Sequence, residues 1–359
     1  MFKKVILFLV PFLFFLASLL SLFPVWLGDL FSHFRMFWTV FGVILLIIYA
    51  ILFLKKEVHQ RDLLLIILAL IINFYGSFSF WINPQTYTYI FLGEPLIPEY
   101  SEKVKQKIEN DTTVKKLLLM NVLSLNTNYG EARKLIKNVD ADFVVIIELN
   151  KKWKDELKEL NENYPYKFTE VREDNFGMGI YSKTSFIDSD NIIGYKGIKE
   201  INKDLNNRLK RWGDIDLDSS KGNVIQEIEP AIFVKSKIGI NIVVVHPIPP
   251  ISIGAYRQRN AYLTTKMLFA EQKSYEKTVL VGDLNCSPFS SHYRDFLFAS
   301  SLKDSQENFG FQPTWNSSFP FLMQTQIDHL WHSKDIEILH RQTLPIEGSD
   351  HKAVLVVFR

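Results

Sequence analysis

A single cysteine, Cys286, stands among 359 residues, which excludes an intrachain disulfide framework and a zinc site built on thiolates. Net charge is nearly absent too: 41 Lys and Arg face 39 Asp and Glu, a formal +2. A chain whose main task is to grip nucleic-acid phosphate through a strongly basic surface carries a larger imbalance. No fixed-period repeat and no low-complexity tract interrupts the sequence.

What is present is unevenly spread. A mean hydropathy of +0.04 and 29 Phe coexist with 22% charged residues, so apolar and charged residues must be segregated. Charge is missing from residues 5–28, 36–54 and 63–93. Each run supplies the roughly 20 apolar residues needed to cross a hydrocarbon core. One such run alone reads equally as a buried helix or a signal peptide. Three in succession, the first longer than a signal core, predict a three-helix transmembrane anchor over residues 1–93. Lys3 and Lys4 precede the first run, and Lys55, Lys56 and Arg61 separate the second from the third, whereas the first loop holds only Asp29, His33 and Arg35. By the positive-inside rule the N-terminus and second loop are cytoplasmic, which puts everything beyond about residue 93 on the exoplasmic face of a cell membrane. Trp81, Tyr87, Tyr89 and Phe91 suit an aromatic girdle at that outer interface, or a short strand or loop packed against the bilayer.

Residues 94–115 carry Pro95, Pro98 and a charged run, and read as a juxtamembrane linker with a solvated helix face. From Lys116 the texture becomes α/β. Apolar runs of strand length occupy 117–125, 143–149, 179–181, 240–245, 279–281, 327–331 and 353–358, with helical patterns at 131–138, 152–160 and 256–272. Residues 116–359 suffice for one large core of sheets covered by helices.

The residues that carry chemistry stand where these runs end: Asn121 after the first, Glu148 after the second and His246 ahead of Pro247. Then come Gly282-Asp283-Leu284-Asn285, Ile327-Asp328-His329 and Ser349-Asp350-His351. Singly, each has a bland reading as a turn, a cap, a surface carboxylate or a half-buried imidazole. Together, an oxygen-rich set of Glu, Asp and Asn suits a hard cation such as magnesium, manganese or calcium.

In this order the motifs resemble those of the endonuclease/exonuclease/phosphatase superfamily, over about residues 116–359. The resemblance implies a four-layer α/β sandwich of two β-sheets flanked by helices, and phosphate-ester hydrolysis dependent on Mg2+ or Mn2+. It implies Glu148 as the principal metal ligand, Asn121 beside the metal or its water shell, and Asp350 as a second acidic ligand. Asp283 matches the residue that orients or deprotonates the attacking water, and Asn285 the partner that fixes Asp283 and the phosphate. His351 resembles the imidazole on a phosphate oxygen, with Asp328 setting its tautomer, and His246 the donor that neutralises developing charge. The sequence departs from the pattern at Met120, where an aromatic residue is common, and at His329, where Tyr is common. His329 is expected to point into the sheet or to add a polar contact. Between Glu148 and His246 no Tyr or Asn is assignable to a site. Residues 188–221 match nothing and read as a specificity insertion. The segment from Pro249 to Asn260 is similar to that of membrane-anchored bacterial members. There Arg257 or Arg259 suits a second phosphate contact, and a solvated helix face equally.

Three functions stay open. The anchor favours a phosphatase acting on a lipid phosphate or pyrophosphate, with the bilayer as partner. The superfamily equally permits a nuclease or phosphodiesterase, against which the residues beyond 99 carry a net charge of only +1. A catalytically inactive binding module is disfavoured by the completeness of the motif set.

Overall fold

Residues 2–192 and 229–359 are described in the computed structural model, so most of the polar stretch 188–221 lies outside the described residues. The N-terminal part comprises α1 (Phe2–Leu20), α2 (Trp26–Ser32), α3 (Arg35–Leu54), α4 (Gln60–Trp81), α5 (Pro84–Leu92) and α6 (Glu102–Asn110). Among the described residues two helices, α3 and α4, are long and apolar enough to span a membrane, not the three expected. The first charge-free run is interrupted: α1 stops at Leu20, ahead of Pro24, whose ring removes a backbone donor, and the chain resumes as the seven-residue α2. The third run also breaks. Pro84 occupies the first turn of α5, and the Asn83 side chain caps it by accepting from the Gln85 amide at 2.9 Å. The aromatic stretch is therefore a helix, neither strand nor loop, with Tyr89 buried against Phe321 and Phe91 exposed. Along the α3–α4 hairpin lies α1, the Tyr49 hydroxyl donating to the Leu7 carbonyl at 2.9 Å and the Asn73 amide to Ser18 Oγ at 2.8 Å.

Twelve strands are described: β1 (Lys115–Asn121), β2 (Phe143–Ile147), β3 (Tyr166–Glu170), β4 (Met178–Ser182), β5 (Phe186–Ile192), β6 (Ala231–Ser236), β7 (Asn241–Val245), β8 (Thr278–Asp283), β9 (Lys303–Asp304), β10 (Asp328–His332), β11 (Ile338–Pro345) and β12 (Lys352–Phe358). They form two six-stranded mixed sheets, ordered β11-β12-β1-β2-β4-β3 and β5-β6-β7-β8-β10-β9. Each sheet has one parallel pair at its centre, β1–β2 and β7–β8. Strands buried on both faces read as unbroken apolar runs, and β2, β7 and β8 are buried at every position. One face of each sheet meets the other sheet through Leu117, Val145, Ile147, Ile242, Val281 and Val354. The outer face of the first sheet lies under α7 (Tyr129–Val139) and α8 (Lys151–Glu156), through Leu118, Val144, Ile136 and Trp153. The outer face of the second lies under α9 (Ile253–Lys273) and α10 (Ser291–Ala299), through Val243, Leu280, Met267 and Phe296. The result is helix, sheet, sheet, helix.

The N-terminal helices share a core with this sandwich. Met36, Phe289 and Phe311 pack together with Phe80, Trp81 and Phe321. The Trp26 indole donates to the Pro250 carbonyl at 2.8 Å, and the Phe311 amide to Thr86 Oγ1 at 2.9 Å. The connecting stretch is docked as well, with the Gln342 amide donating to the Ile97 carbonyl at 3.0 Å.

Where β7 and β8 run side by side, Gly282 has φ 154° and a β-carbon there would lie 1.8 Å from the Val245 carbonyl oxygen. Gly282→Ala is expected to cost about 2–4 kcal/mol and to lower the Tm of the detergent-solubilised protein by roughly 5–15 °C, read by a thermal melt.

Candidate active site

The sheet topology brings the strand-end motifs to one edge. In the parallel pairs, β1 and β2 end together at Asn121 and Glu148, and β7 and β8 at His246 and Asp283. The antiparallel neighbours start there: Asp328 of β10 pairs with Asp283, and β12 opens just after Asp350 and His351. Ser349 ties that opening to β1, its hydroxyl donating to the Asn121 carbonyl at 2.9 Å.

The side chains converge. The Asn121 amide nitrogen lies 3.2 Å from Glu148 Oε1 and 3.2 Å from Asp283 Oδ2. Glu148 Oε2 accepts from the Ser124 amide at 2.9 Å. Asp283 Oδ2 is 3.7 Å from His351 Nε2 and 3.8 Å from His246 Nε2. On the far side of its ring, His351 Nδ1 is 2.9 Å from Asp328 Oδ2. The Asn285 amide donates to Asp283 Oδ1 at 2.9 Å, and its side chain to the Pro247 carbonyl at 3.0 Å. Asp350 Oδ2 accepts from the Trp315 indole at 2.8 Å. All eight motif residues therefore gather in one place.

The two arginines do not join them. Arg257 is exposed on α9 and is not among the residues lining the cavity. Arg259 is fully buried, with Nη1 2.8 Å from Asp29 Oδ2. The expectation of a phosphate contact from either is corrected: Arg259 is engaged by the N-terminal part of the chain. His329 adds polar contacts on the helix-covered side of its sheet, where Nε2 lies 2.9 Å from the Cys286 carbonyl and Nδ1 3.0 Å from the Tyr293 hydroxyl.

Other cavity residues carried no signal in the sequence. Asn175 accepts from Ser124 Oγ at 2.6 Å and fills the gap between Glu148 and His246. Leu30 of α2, with His33 and Phe34 in the link to α3, also lines the cavity. Backbone conformation marks the same place. Leu123, Glu148, Asn175 and Asn285 have φ of 56°, 65°, 70° and 48°, and all four line the cavity. Left-handed non-glycine residues cost on the order of 1–3 kcal/mol each and persist where surrounding contacts over-determine them.

Burial raises the Asp283 carboxyl well above the usual range; the Asp328 charge adds to this and His351 opposes it. Burial also works against a charged His351, but Asp328, through charge and hydrogen bond, outweighs it and raises the imidazole above its ordinary value. His246 is driven down to about 4 by burial, with the His351 charge adding to it, and stands neutral. Asp328 Oδ1, Asp350 Oδ1 and His246 Nδ1 are buried without a hydrogen-bond partner. Orphaned carboxylate oxygens in a crowded anionic cavity fit a divalent cation with oxygen ligands. Two donor sets are on offer: the acids and amide of Glu148, Asn121 and Asp350, and the group Asp283, Asp328 and His351, whose donor atoms lie within 4.8 Å of one another. The second already contains a hydrogen-bonded Asp–His pair.

The sequence profile of the Endonuclease/Exonuclease/phosphatase family matches residues 118–351, a stretch that contains every one of these motifs. The chain belongs to that family. Endonuclease/exonuclease/phosphatase proteins are hydrolytic phosphoesterases, mostly metal-dependent, and include nucleases, phosphodiesterases and phosphatases. Among solved structures, TDP2 of D. rerio complexed with single-strand DNA product is 16% identical, with 69% of this chain and 99% of that one covered and a TM-score of 0.50. Sphingomyelinase C from Streptomyces griseocarneus is 16% identical over 68% and 99% of the two chains, TM-score 0.44. A functionally unknown conserved protein from Enterococcus faecalis V583 is 19% identical over 68% and 99%, TM-score 0.48. At such identities the likeness is one of fold. No curated protein matches the sequence.

Millimolar Mg2+ or Mn2+ is expected to raise the Tm of the purified protein, since a ligand at 100 times its Kd stabilises by about 2.7 kcal/mol. A chelator should reverse the shift, and an unchanged melt would argue against a metal centre.

Proposed function

We propose that the chain is a membrane-anchored, divalent-metal-dependent phosphoesterase acting on a lipid phosphate or pyrophosphate at the exoplasmic face. One observation carries this reading. The cavity, of about 780 Å³, has a polar floor of Glu148, His246, Asp283, Asn285, Asp350 and His351, and part of its wall is Leu30, His33 and Phe34. Phe34 directly precedes Arg35, the first residue of the span-length α3. A catalytic floor whose wall runs into the first turn of such a helix suits a substrate held in the bilayer surface. Its phosphate meets the floor while its apolar chain lies along Leu30, Phe34, Ile248, Pro250 and Ile251.

The roles follow the chemistry of each group. Glu148, Asn121 and Asp350 would hold Mg2+ or Mn2+, leaving the Asp328–His351 pair intact. A bound cation screens the phosphoryl oxygens and polarises them. Asp283, whose raised pKa makes it a stronger base than an ordinary carboxylate, orients the attacking water and takes its proton. The Asn285 amide holds the other Asp283 oxygen, which fixes the direction of attack. His351, kept protonated by Asp328, donates to a phosphoryl oxygen, and neutral His246 offers a second ring N–H as charge builds.

Orientation rests on the hairpin. The connection between α3 and α4 carries Lys55 and Lys56, followed by Arg61, while the opposite ends of both helices pack on the sandwich. Arg61 also lies over the Phe8 ring at 4.7 Å, which brings the basic N-terminus to the same end. Under the positive-inside rule that end is cytoplasmic and the sandwich is outside. On this reading residues 1–93 are the anchor, 94–115 the connector and 116–359 the phosphohydrolase domain.

The test is purified protein in detergent with Mg2+, offered a polyprenyl pyrophosphate, a phospholipid and single-stranded DNA side by side. Phosphate release from a lipid is expected, falling at least about 100-fold in Asp283→Asn and Glu148→Ala. Cleavage of DNA alone would overturn the substrate assignment. Replacing both Leu30 and Phe34 by Ser is expected to lower kcat/KM on the lipid roughly tenfold relative to a water-soluble phosphate ester, the loss of one well-buried apolar contact. A reporter active only outside the cytoplasm, fused after Arg359, should be active; an expressed but silent fusion refutes the orientation.

A further inference from the structure

We propose that Asp29 and Arg259 are positioning residues, through which the anchor holds Asn285 in its working conformation. The inference uses the phosphoesterase reading above for one of its two readouts.

The contacts run in a line from the anchor to the floor of the cavity. Asp29 belongs to α2, which carries no motif, and Arg259 to α9 on the outer face of the second sheet. Both are buried, at 1% and 0% exposure. Arg259 Nη1 donates to Asp29 Oδ2 at 2.8 Å and to the Asn285 carbonyl at 2.8 Å. Its Nε and Nη2 donate to Asn260 Oδ1 at 3.0 Å and 2.7 Å. The second Asp29 oxygen accepts from Ser290 Oγ, just beyond the Asp283–Asn285 turn, and His33 Nδ1 sits 2.7 Å from the Asp29 carbonyl.

Asn285 needs such support. It sits in the left-handed region at φ 48°, two residues beyond β8, and its backbone N–H, side-chain nitrogen and carbonyl are all engaged. Its amide serves Asp283, its side chain the Pro247 carbonyl, and its own carbonyl receives Arg259. Turning the Asn285 backbone out of this conformation would withdraw its N–H from Asp283 and leave its partly buried carbonyl without Arg259. Nη1 alone reaches both Asp29 and Asn285, and the rest of the planar guanidinium, Nε and Nη2, is clamped on Asn260 Oδ1, a three-point arrangement that an ammonium cannot copy. Burial opposes both charges, yet Asp29 stays below and Arg259 above its ordinary pKa, each because of the other. Removing either partner alone leaves the other charge buried and uncompensated.

The experiment uses the full chain in detergent. Asp29→Asn risks misfolding for the reason just given, so the decisive variant is the double substitution Asp29→Leu with Arg259→Met, which removes both charges at similar volume. Arg259→Lys keeps the cation and loses the fork. Hydrolysis of p-nitrophenyl phosphate and bis(p-nitrophenyl) phosphate with Mn2+ is measured beside hydrogen exchange of the backbone. In the double variant we expect a Tm within a few degrees of wild type, kcat down at least tenfold and KM changed less than twofold. Exchange in residues 284–290 should be at least tenfold faster, with residues 352–358 unchanged. Arg259→Lys should show the same kcat loss at wild-type Tm. A folded double variant with wild-type kcat, or with unchanged exchange at 284–290, overturns the proposal. Faster exchange there in a protein whose wild type cleaves neither ester supports the positioning role and overturns the phosphoesterase reading instead.

Discussion

Asp283 at the end of β8, Asp328 at the start of β10 and Asp350 just ahead of β12 are gathered at one sheet edge, where ionised carboxylates repel each other and the burial of the first two leaves little water to screen them. Everything around them reduces that cost. His351 is held cationic between Asp328 and Asp283, the Asn121 amide bridges Glu148 and Asp283, and the Trp315 indole serves Asp350. Asp350 Oδ1 is still unpartnered, and an oxygen-seeking divalent cation is the simplest charge that satisfies it. The proton affinity of Asp283 is the other side of the same arrangement. An environment that disfavours its anion also makes it a competent base.

Such a cluster holds only on a stiff support. The parallel pairs β1–β2 and β7–β8 send their ends to the same edge, and the sheets lock face to face through apolar side chains with no exposure. The turns that leave this edge are left-handed at Leu123, Glu148, Asn175 and Asn285, and local hydrogen bonds hold three of them in that region. Gly282 lets β8 pass the Val245 carbonyl at a distance no side chain tolerates. Stability is traded for geometry at the edge and recovered in the core.

This division also explains what was legible in the sequence. Strands buried on both faces, such as β2 and β7, announce themselves as unbroken Val and Ile runs. The half-exposed β3 and β5 carry Lys, Glu, Asp and Ser along their length and were not found. The motif residues are legible because each stands at one end of a strand that is. Asn175 is not, because it sits in a loop where Asn is ordinary and only its conformation sets it apart. Hydropathy predicted three crossings where two helices have the length, since a window of apolar residues does not register that the chain stops at Leu20 and restarts as α2. The sequence leaves Arg259 open between a phosphate contact and a solvated helix face, because its actual partner, Asp29, lies 230 residues earlier.

That long-range pair changes how the N-terminal part is understood. A tether needs only apolar length, and α3 and α4 supply it. Yet α2 bears a buried carboxylate, an indole bonded to the Pro250 carbonyl and, in Leu30, a side chain that lines the cavity, none of which a tether requires. A charge is buried at such a place when it is paired, and Asp29 is paired with the one arginine that also grips the turn carrying Asn285. The same short helix thus bears on two properties at once. Leu30 forms part of the cavity wall, and the Asp29 carboxylate holds the arginine that bonds the Asn285 carbonyl on its floor. Both run through a segment two residues from the start of α3, so that a single side chain, Arg259 of the sandwich, separates this end of the helix bundle from the turn that carries Asn285.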